Sequence, residues 1–558
     1  MALTAAGGGR AALAAFALVA LAALLLRAPV ADLPFERDEG EYAYLAWRWL
    51  EGDIPYRDGF DQKPPGVLAC YALILAAAGA SPRAVHWGAQ LYTLLTLALL
   101  LSLGRRVASL RVGAAAAVLC ALATTAPGTL GNAANVELFA LLPLVAALLA
   151  AWRGSEEGRG RDALAAGAAA GAALAFKPVV APLAAFSFAL LLLRRRRSAA
   201  QRLRLAGAFA AGGAAVWLPL LGYFAAHGAL DDLYDATVRF NLAYATSVSL
   251  SEYPEVLREE LPRALGALGP LLGAAALGLA LRALSPGSAP EEPPLRADRQ
   301  WLLGWLASGL LAVAAGGYFR SHYFQLAVPP LALVAALGLD DAAATLRVPA
   351  RLRAAALAAA TAAVVLAGVL AAPWYFLPGD PAAKSRRIYG ANPFAESAAL
   401  GAFLAERSQP DDTVFVYGSE PQILVHARRR SASRYVLAYH YLIGPSEAMR
   451  ARQEEVLAEL RAAPPRFVLG VFLRTSLLEA PESPVDLRRG LAAALREDYR
   501  PVAVVEPPRG DGPEPIRTDA GTLRVWGGAA LFVRPVPEGL FVVWERRTAA
   551  PEGTPPWP

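Results

Sequence analysis

Only three of the 53 lysine and arginine side chains in this chain are lysines, and two of those, Lys63 and Lys177, stand directly before proline. An ammonium is a compact point charge that suits a single phosphate oxygen, and the forked guanidinium of arginine does not replace it. Lys63 lies in Phe60-Asp61-Gln62-Lys63-Pro64-Pro65. Upstream, closely following the first apolar segment, comes the acidic cluster Arg37-Asp38-Glu39-Gly40-Glu41-Tyr42. Carboxylates and a lysine together at a membrane surface point to chemistry on a charged, lipid-linked substrate.

Each of these residues also has a plainer reading. Asp38, Glu39 and Glu41 could serve only to start a helix, with Asp38 as its cap and the macrodipole favouring the acids. That does not account for their position after a membrane span, or for the lysine-proline pair in the same loop. We therefore take Asp38 as the first candidate and Glu39 as the second, and read Glu41 as solvated. Lys63 could be a snorkelling interfacial lysine, but Pro64 and Pro65 stiffen its backbone into a platform. Lys177, in Phe176-Lys177-Pro178, has a similar setting between two apolar segments. The turn Arg320-Ser321-His322-Tyr323 offers a permanent cation and further donors for a phosphate. Asn135 and Glu137 begin another apolar segment, and an ionisable group at a span's edge is a functional candidate. His426 and His440 read as ordinary surface or packed histidines.

These candidates have to be positioned by membrane helices. The chain has 558 residues, 56% hydrophobic and 18% charged, too apolar for a soluble protein. Apolar runs fall near 11–28, 84–104, 112–127, 135–152, 162–176, 178–193, 204–225, 263–283, 301–317, 323–340 and 354–372, which predicts a polytopic α-helical membrane protein of about eleven spans. Residues 11–26 resemble a signal-peptide core but read as a retained first span. The arginines cluster in short loops at 105–111, 153–161, 194–197 and 347–353. The positive-inside rule keeps such loops cytoplasmic, and this distribution argues against nucleic acid despite a net charge of +6. Eleven spans then put loops 29–83, 128–134, 226–262 and 318–322, the Lys177 turn and everything after 373 outside. All the candidate residues share that outer face. Residues 66–80 are too short for a comfortable span and read as a re-entrant or interfacial helix. Residues 39–51 read as an interfacial amphipathic helix, with Tyr44 and Trp47 suited to the headgroup zone.

The spans and outer loops form a region over 1–375, with loop 29–83 as its catalytic loop. Residues 376–550 alternate helical and β-rich patterns and predict an α/β domain with a mixed sheet. Its expected elements are helices at 395–407 and 446–462 and strands at 413–417, 466–472, 501–505, 531–534 and 540–544. Residues 551–558 read as a disordered tail. Cys70 and Cys120 fall in apolar segments and form no disulfide framework or metal pattern. No Walker loop, dinucleotide fingerprint, His-Glu-x-x-His or nucleophile elbow is present, so a soluble nucleotide donor is not indicated.

The two loop motifs, with weaker support from Asn135-Val136-Glu137-Leu138-Phe139 and Ser321-His322-Tyr323-Phe324, resemble the GT-C membrane glycosyltransferases. Within that class the branch is the one containing protein O-mannosyltransferases and aminoarabinose transferases, and the likeness covers roughly residues 10–340. The resemblance implies inverting transfer of a sugar from a polyprenyl-phosphate donor to a lipid, glycan or protein acceptor, on the extracytoplasmic side of the inner (plasma) membrane. Asp38 matches the family's catalytic aspartate and would take or orient the acceptor proton. Lys63 matches the lysine on the departing lipid phosphate. Glu39 would support Asp38 or the acceptor. Arg320, placed by topology, would be a further phosphate contact. Asn135, Glu137, Lys177, His322 and Tyr323 are candidate substrate contacts, and no metal or other cofactor is expected. Two other classes stay open. A transporter or flippase would carry its charges or Gly/Pro breaks near mid-membrane in matching halves. An inactive anchor presenting the α/β domain would have no need of Asp38 and Lys63.

Overall fold

The computed structural model describes residues 2–284, 293–479, 482–532 and 536–547. All eleven apolar segments fold as helices, from Ala2–Arg27 to Arg353–Ala371. Among the described residues, seven helices are long and apolar enough to cross a membrane. Others, such as Leu110–Thr125 and Gly160–Leu174, are shorter. Serines set several helix starts: Ser81, Ser109 and Ser198 each accept from the amide three residues on, which satisfies one of the orphan donors of a helix N-terminus.

Small residues let the helices approach closely. A Cβ on Gly212 would lie 2.0 Å from the Leu164 carbonyl oxygen, so helix 199–226 rests on helix 160–174 almost backbone to backbone. The outward faces carry exposed leucines such as Leu18, Leu95, Leu218 and Leu366, as a lipid-facing surface requires. Ion pairs tie the arginine-rich helix ends together. Arg106 and Arg194 both reach Glu156, at 3.0 and 3.3 Å, and Arg111 reaches Asp340 at 3.0 Å. Asn135, Glu137, Lys177, His322 and Tyr323 lie at the opposite ends of three of these helical segments.

After the Pro373–Phe376 turn the chain builds an α/β unit. Its five-stranded sheet has the order β2-β1-β3-β5-β4, with β1 Thr413–Tyr417, β2 Arg430–Ser431, β3 Phe467–Phe472, β4 Tyr499–Val505 and β5 Leu540–Arg546. β1 pairs parallel with β2 and β3, whereas β5 is antiparallel to β3 and β4. The expected mixed sheet is present, with helices Ser397–Glu406 and Ser446–Ala462. The strand expected at 531–534 is instead a 3-10 turn over Ala529–Phe532. There Leu531 and Phe532 pack inward without a ladder partner, and 533–534 lie outside the described residues. Residues 548–558, which include the expected tail, also lie outside them.

The helix expected at 39–51 forms as Arg37–Leu50, with its apolar face covered by protein. It is packed against the α/β unit, with Tyr42, Ala43, Leu45 and Ala46 buried. The Tyr44 hydroxyl accepts from the Ser431 amide at 2.8 Å, so this residue belongs to the contact between the two units and not to a headgroup zone. Gly40 explains itself here, since a Cβ would lie 2.6 Å from the Gln422 backbone nitrogen.

Candidate active site

The first turn of the Arg37–Leu50 helix delivers the acids. Its cap is Glu36 and not Asp38. Glu36 accepts from the Glu39 amide and Glu39 accepts from the Glu36 amide, both at 3.2 Å, a reciprocal capping box. With the cap at Glu36, the Asp38 side chain stays available. Arg37 pins this turn to the α/β unit by donating to the Ser419 carbonyl at 2.8 Å and pairing with Glu420 at 3.1 Å.

Lys63 arrives from the following loop. Tyr56, held at a left-handed φ of 72°, donates its hydroxyl to the Lys63 carbonyl at 2.9 Å. The Asp61 carboxylate accepts from the Lys63 amide at 3.0 Å. The Lys63 ammonium then meets three carboxylates: Glu41 at 2.9 Å, Asp61 at 3.5 Å and Asp38 at 4.0 Å. Glu41 and Asp61 are fully buried, whereas the Asp38 side chain is 24% exposed and opens into a cavity. The reading of Glu41 as solvated is thereby corrected. Helix 37–50 lies against the α/β unit, which turns that face inward.

Electrostatics differ sharply among these groups. Burial pushes the Asp38 carboxyl up, but Lys63, His322 and Arg37 outweigh it and hold it below the ordinary carboxylate value. Burial and the neighbouring Asp61 drive Glu41 well above that value. Burial opposes the charge on Lys63, yet Asp61 and Glu41 raise its affinity for the proton well above normal. The ammonium therefore stays charged.

The cavity has a volume of about 650 Å³. Asp38, Lys63, Lys177, Arg320, His322 and Tyr323 all line it, so residues from separate stretches of sequence meet at one place. Lys177 pairs with Glu137 at 2.5 Å and its ammonium sits 3.6 Å from the centre of the Tyr323 ring. Arg320 pairs with Glu260 at 3.4 Å. Beyond the charged groups the wall becomes apolar, through Val179, Val238, Leu242 and Ala315. Part of this wall, Asp235–Phe240, is a π-helical turn, a form frequent at functional sites.

Three candidates sit behind the wall. Glu39 is fully buried and turned away from the cavity, where its Oε1 accepts from the Ala134 amide at 2.7 Å and lies 2.8 Å from His86 Nε2. Glu137 is buried behind Lys177, and Asn135 is buried at the helix start. Sequence reasoning misses Arg37, Tyr42, Gln62, Tyr439 and Asn392, which also line the cavity. His440, read as an ordinary histidine, is fully buried with Nε2 2.7 Å from Gln62 Oε1. The Phe60-Asp61-Gln62 context of Lys63 holds no signal for a partner so distant in the chain. Glu41, Asp61 and His440 bring potential ligand atoms within 4.8 Å of one another. The Lys63 ammonium already stands between the two carboxylates, so the cation among them is the lysine.

The fold and this site define a polytopic membrane protein with a one-sided, charged cavity, and comparisons agree. The crystal structure of ArnT from Cupriavidus metallidurans bound to undecaprenyl phosphate is similar, with a TM-score of 0.56 at 15% identity over 82% of this chain and 93% of that chain. The apo form of the same protein gives a TM-score of 0.55 at 14% identity over 84% and 93%. Archaeoglobus fulgidus oligosaccharyltransferase is a looser likeness, with a TM-score of 0.46 at 14% identity over 90% of this chain and 73% of that one. Residues 62–223 match the family described as dolichyl-phosphate-mannose-protein mannosyltransferase. A comparison with curated proteins gives no match. The GT-C resemblance read from the two loop motifs is borne out in the fold and in this domain match.

Proposed function

We propose that this protein is an integral-membrane glycosyltransferase that moves a sugar from a polyprenyl-phosphate donor to an extracytoplasmic acceptor with inversion at the anomeric carbon. The observation that carries the reading is the pairing of an ionised, cavity-facing Asp38 with a permanently charged Lys63. Asp38 accepts the proton of the acceptor hydroxyl as its oxygen attacks the anomeric carbon. The bond from that carbon to the phosphate oxygen breaks and its electron pair leaves with the lipid phosphate. Lys63, with Arg320 and Lys177 on the same cavity, stabilises the charge that develops there. The apolar wall of Val179, Val238 and Leu242 suits the first units of a polyprenyl chain. Glu39 supports the turn that carries Asp38. The arginine-rich helix ends face the cytoplasm of a plasma (inner) membrane, which leaves the cavity and the α/β domain, 376–550, outside. That undecaprenyl phosphate occupies the related ArnT fold supports the donor class.

Purified protein supplied with polyprenyl-phosphate sugars tests this directly. Asp38→Asn should lower transfer by about 10²–10⁴-fold, and equal turnover in wild type and Asp38→Asn would end the mechanism. The pH profile adds a second check. Asp38 acts when deprotonated and its value is depressed, so activity should persist as pH falls toward about 4, the ordinary carboxylate value, and decline only below it. An acidic limb centred well above that value would assign the base to another group.

A further inference from the structure

A second cavity, of about 740 Å³, lies in the α/β unit and shares Thr475 and Leu478 with the wall of the first. Its position follows from the topology. β1 and β3 are parallel neighbours whose onward connections diverge, toward β2 on one side and toward β4 and β5 on the other. A crevice opens outside the carboxyl ends of such strands, and that is where open α/β sheets hold ligands. Tyr417 ends β1, Phe472 ends β3, and both line the cavity. Segments following the same two strand ends also reach the catalytic turn. Ser419 and Glu420, after β1, bind Arg37, while Thr475, after β3, donates to Asn392 Oδ1 at 3.0 Å.

The chemistry of the lining is specific. Tyr417 is 1% exposed, yet its hydroxyl has no hydrogen-bond partner among the described residues. Such a group costs free energy unless something pairs with it. Arg488 and Glu479 form a two-point ion pair at 3.2 and 3.3 Å on the same wall. Arg474 and Glu538 add one further charge of each sign. Among the described residues the charges balance, which favours neither an anion nor a cation. It does offer paired donors and acceptors on a wall shared with Tyr417 and Phe472, which suits adjacent hydroxyls on an apolar ring. The volume lies in the range of sites that enclose small ligands and excludes a folded partner.

We propose that this crevice binds a neutral saccharide of the acceptor, holding it so that its terminal hydroxyl extends past Thr475 and Leu478 to Asp38. The assignment rests on the glycosyltransferase reading above and names its acceptor class as a glycan. It makes the α/β unit the part that selects the acceptor.

The test uses the full-length protein in detergent, short neutral oligosaccharides of hexose or pentose, a serine- and threonine-containing peptide, and a polyprenyl-phosphate sugar. Tyr417→Phe removes only the unpartnered hydroxyl, so thermal stability should not fall. Saccharide binding measured by saturation-transfer NMR should weaken about tenfold, as for one hydrogen bond lost to a ligand. Glu479→Gln should likewise raise the KM for the saccharide with kcat and polyprenyl-phosphate binding unchanged. Saccharide affinity and KM unmoved by both substitutions would overturn the assignment, as would binding of the peptide in place of any saccharide. The donor arm separates the two readings. Tyr417-dependent saccharide binding without Lys63-dependent polyprenyl-phosphate binding would sustain this site and remove the donor, whereas the reverse result would remove only this site.

Discussion

Lys63 and Lys177 are built on one plan and charged on two. Each precedes a proline, each pairs with a buried glutamate, and each lies over a tyrosine ring, Tyr42 at 5.0 Å for Lys63 and Tyr323 at 3.6 Å for Lys177. Among the described residues Lys177 has a single carboxylate partner, Glu137, in a balanced pair. Lys63 has three, of which only Asp38 opens to the cavity. A balanced buried pair is a fixed structural unit. An ammonium shared among three acids is an exchange point, where the pull on each group changes when one acid gains a proton or an anion arrives. Burial and Asp61 push Glu41 well up, which reduces the negative charge around Lys63 and eases the approach of a phosphate. Under the proposed function, this difference assigns the chemistry to Lys63 and the support to Lys177.

The largest effect should therefore come from Lys63→Met. Transfer should fall by about 10²–10³-fold or more, the cost of losing one preorganised charge at a developing oxyanion. Stability should fall by about 3–5 kcal/mol, because Glu41 and Asp61 are left buried without their cation. Adding Glu41→Gln should restore part of the melting temperature and none of the transfer. A double variant that regained both would mean that Lys63 only holds the loop.

Lys177→Met should break the comparison differently. Losing the lysine leaves Glu137 buried without its cation, which again costs stability of about 3–5 kcal/mol, but transfer at donor concentrations below KM should drop only about tenfold, chiefly through donor KM and with kcat near the wild-type level, as for one lost charge-assisted bond. Steady-state kinetics would decide it. A loss in kcat as deep as that of Lys63→Met would show that the two lysines hold the phosphate equally.

Much of this contrast is legible in the sequence, and some of it is not. The helices are legible because a run of apolar residues long enough to span a bilayer has few alternatives. Asp38 and Lys63 stand out because residue type and spacing within one loop carry the signal. What escapes is set by contacts across the chain. The cap at Glu36 depends on a bond to Glu39 whose geometry no pattern announces. The burial of Glu41 and Tyr44 depends on residues near 420–440 folding over helix 37–50, and a helix of that amphipathicity would look the same lying on a membrane. The short strand β2, two residues long, has no periodicity to detect.

Lys384 supplies the control that sharpens the distinction. Like Lys63 it is buried, but its ammonium meets no carboxylate among the described residues. It donates to three backbone carbonyls, those of Pro29, Tyr375 and Leu377, at 2.8, 2.9 and 2.7 Å. These bonds tie the end of the first membrane helix to the lead-in of the α/β unit, and none of the three carbonyls lies on the cavity wall. Lys384→Met leaves those carbonyls without their donor, which should cost about 1–3 kcal/mol in thermal denaturation, while kcat and both KM values stay at the wild-type level. A lysine that binds only carbonyls staples the backbone, and one that binds carboxylates at a cavity keeps a charge ready for an anion. If Lys384→Met slowed transfer without lowering the melting temperature, that rule for sorting the three lysines would fail at its simplest case.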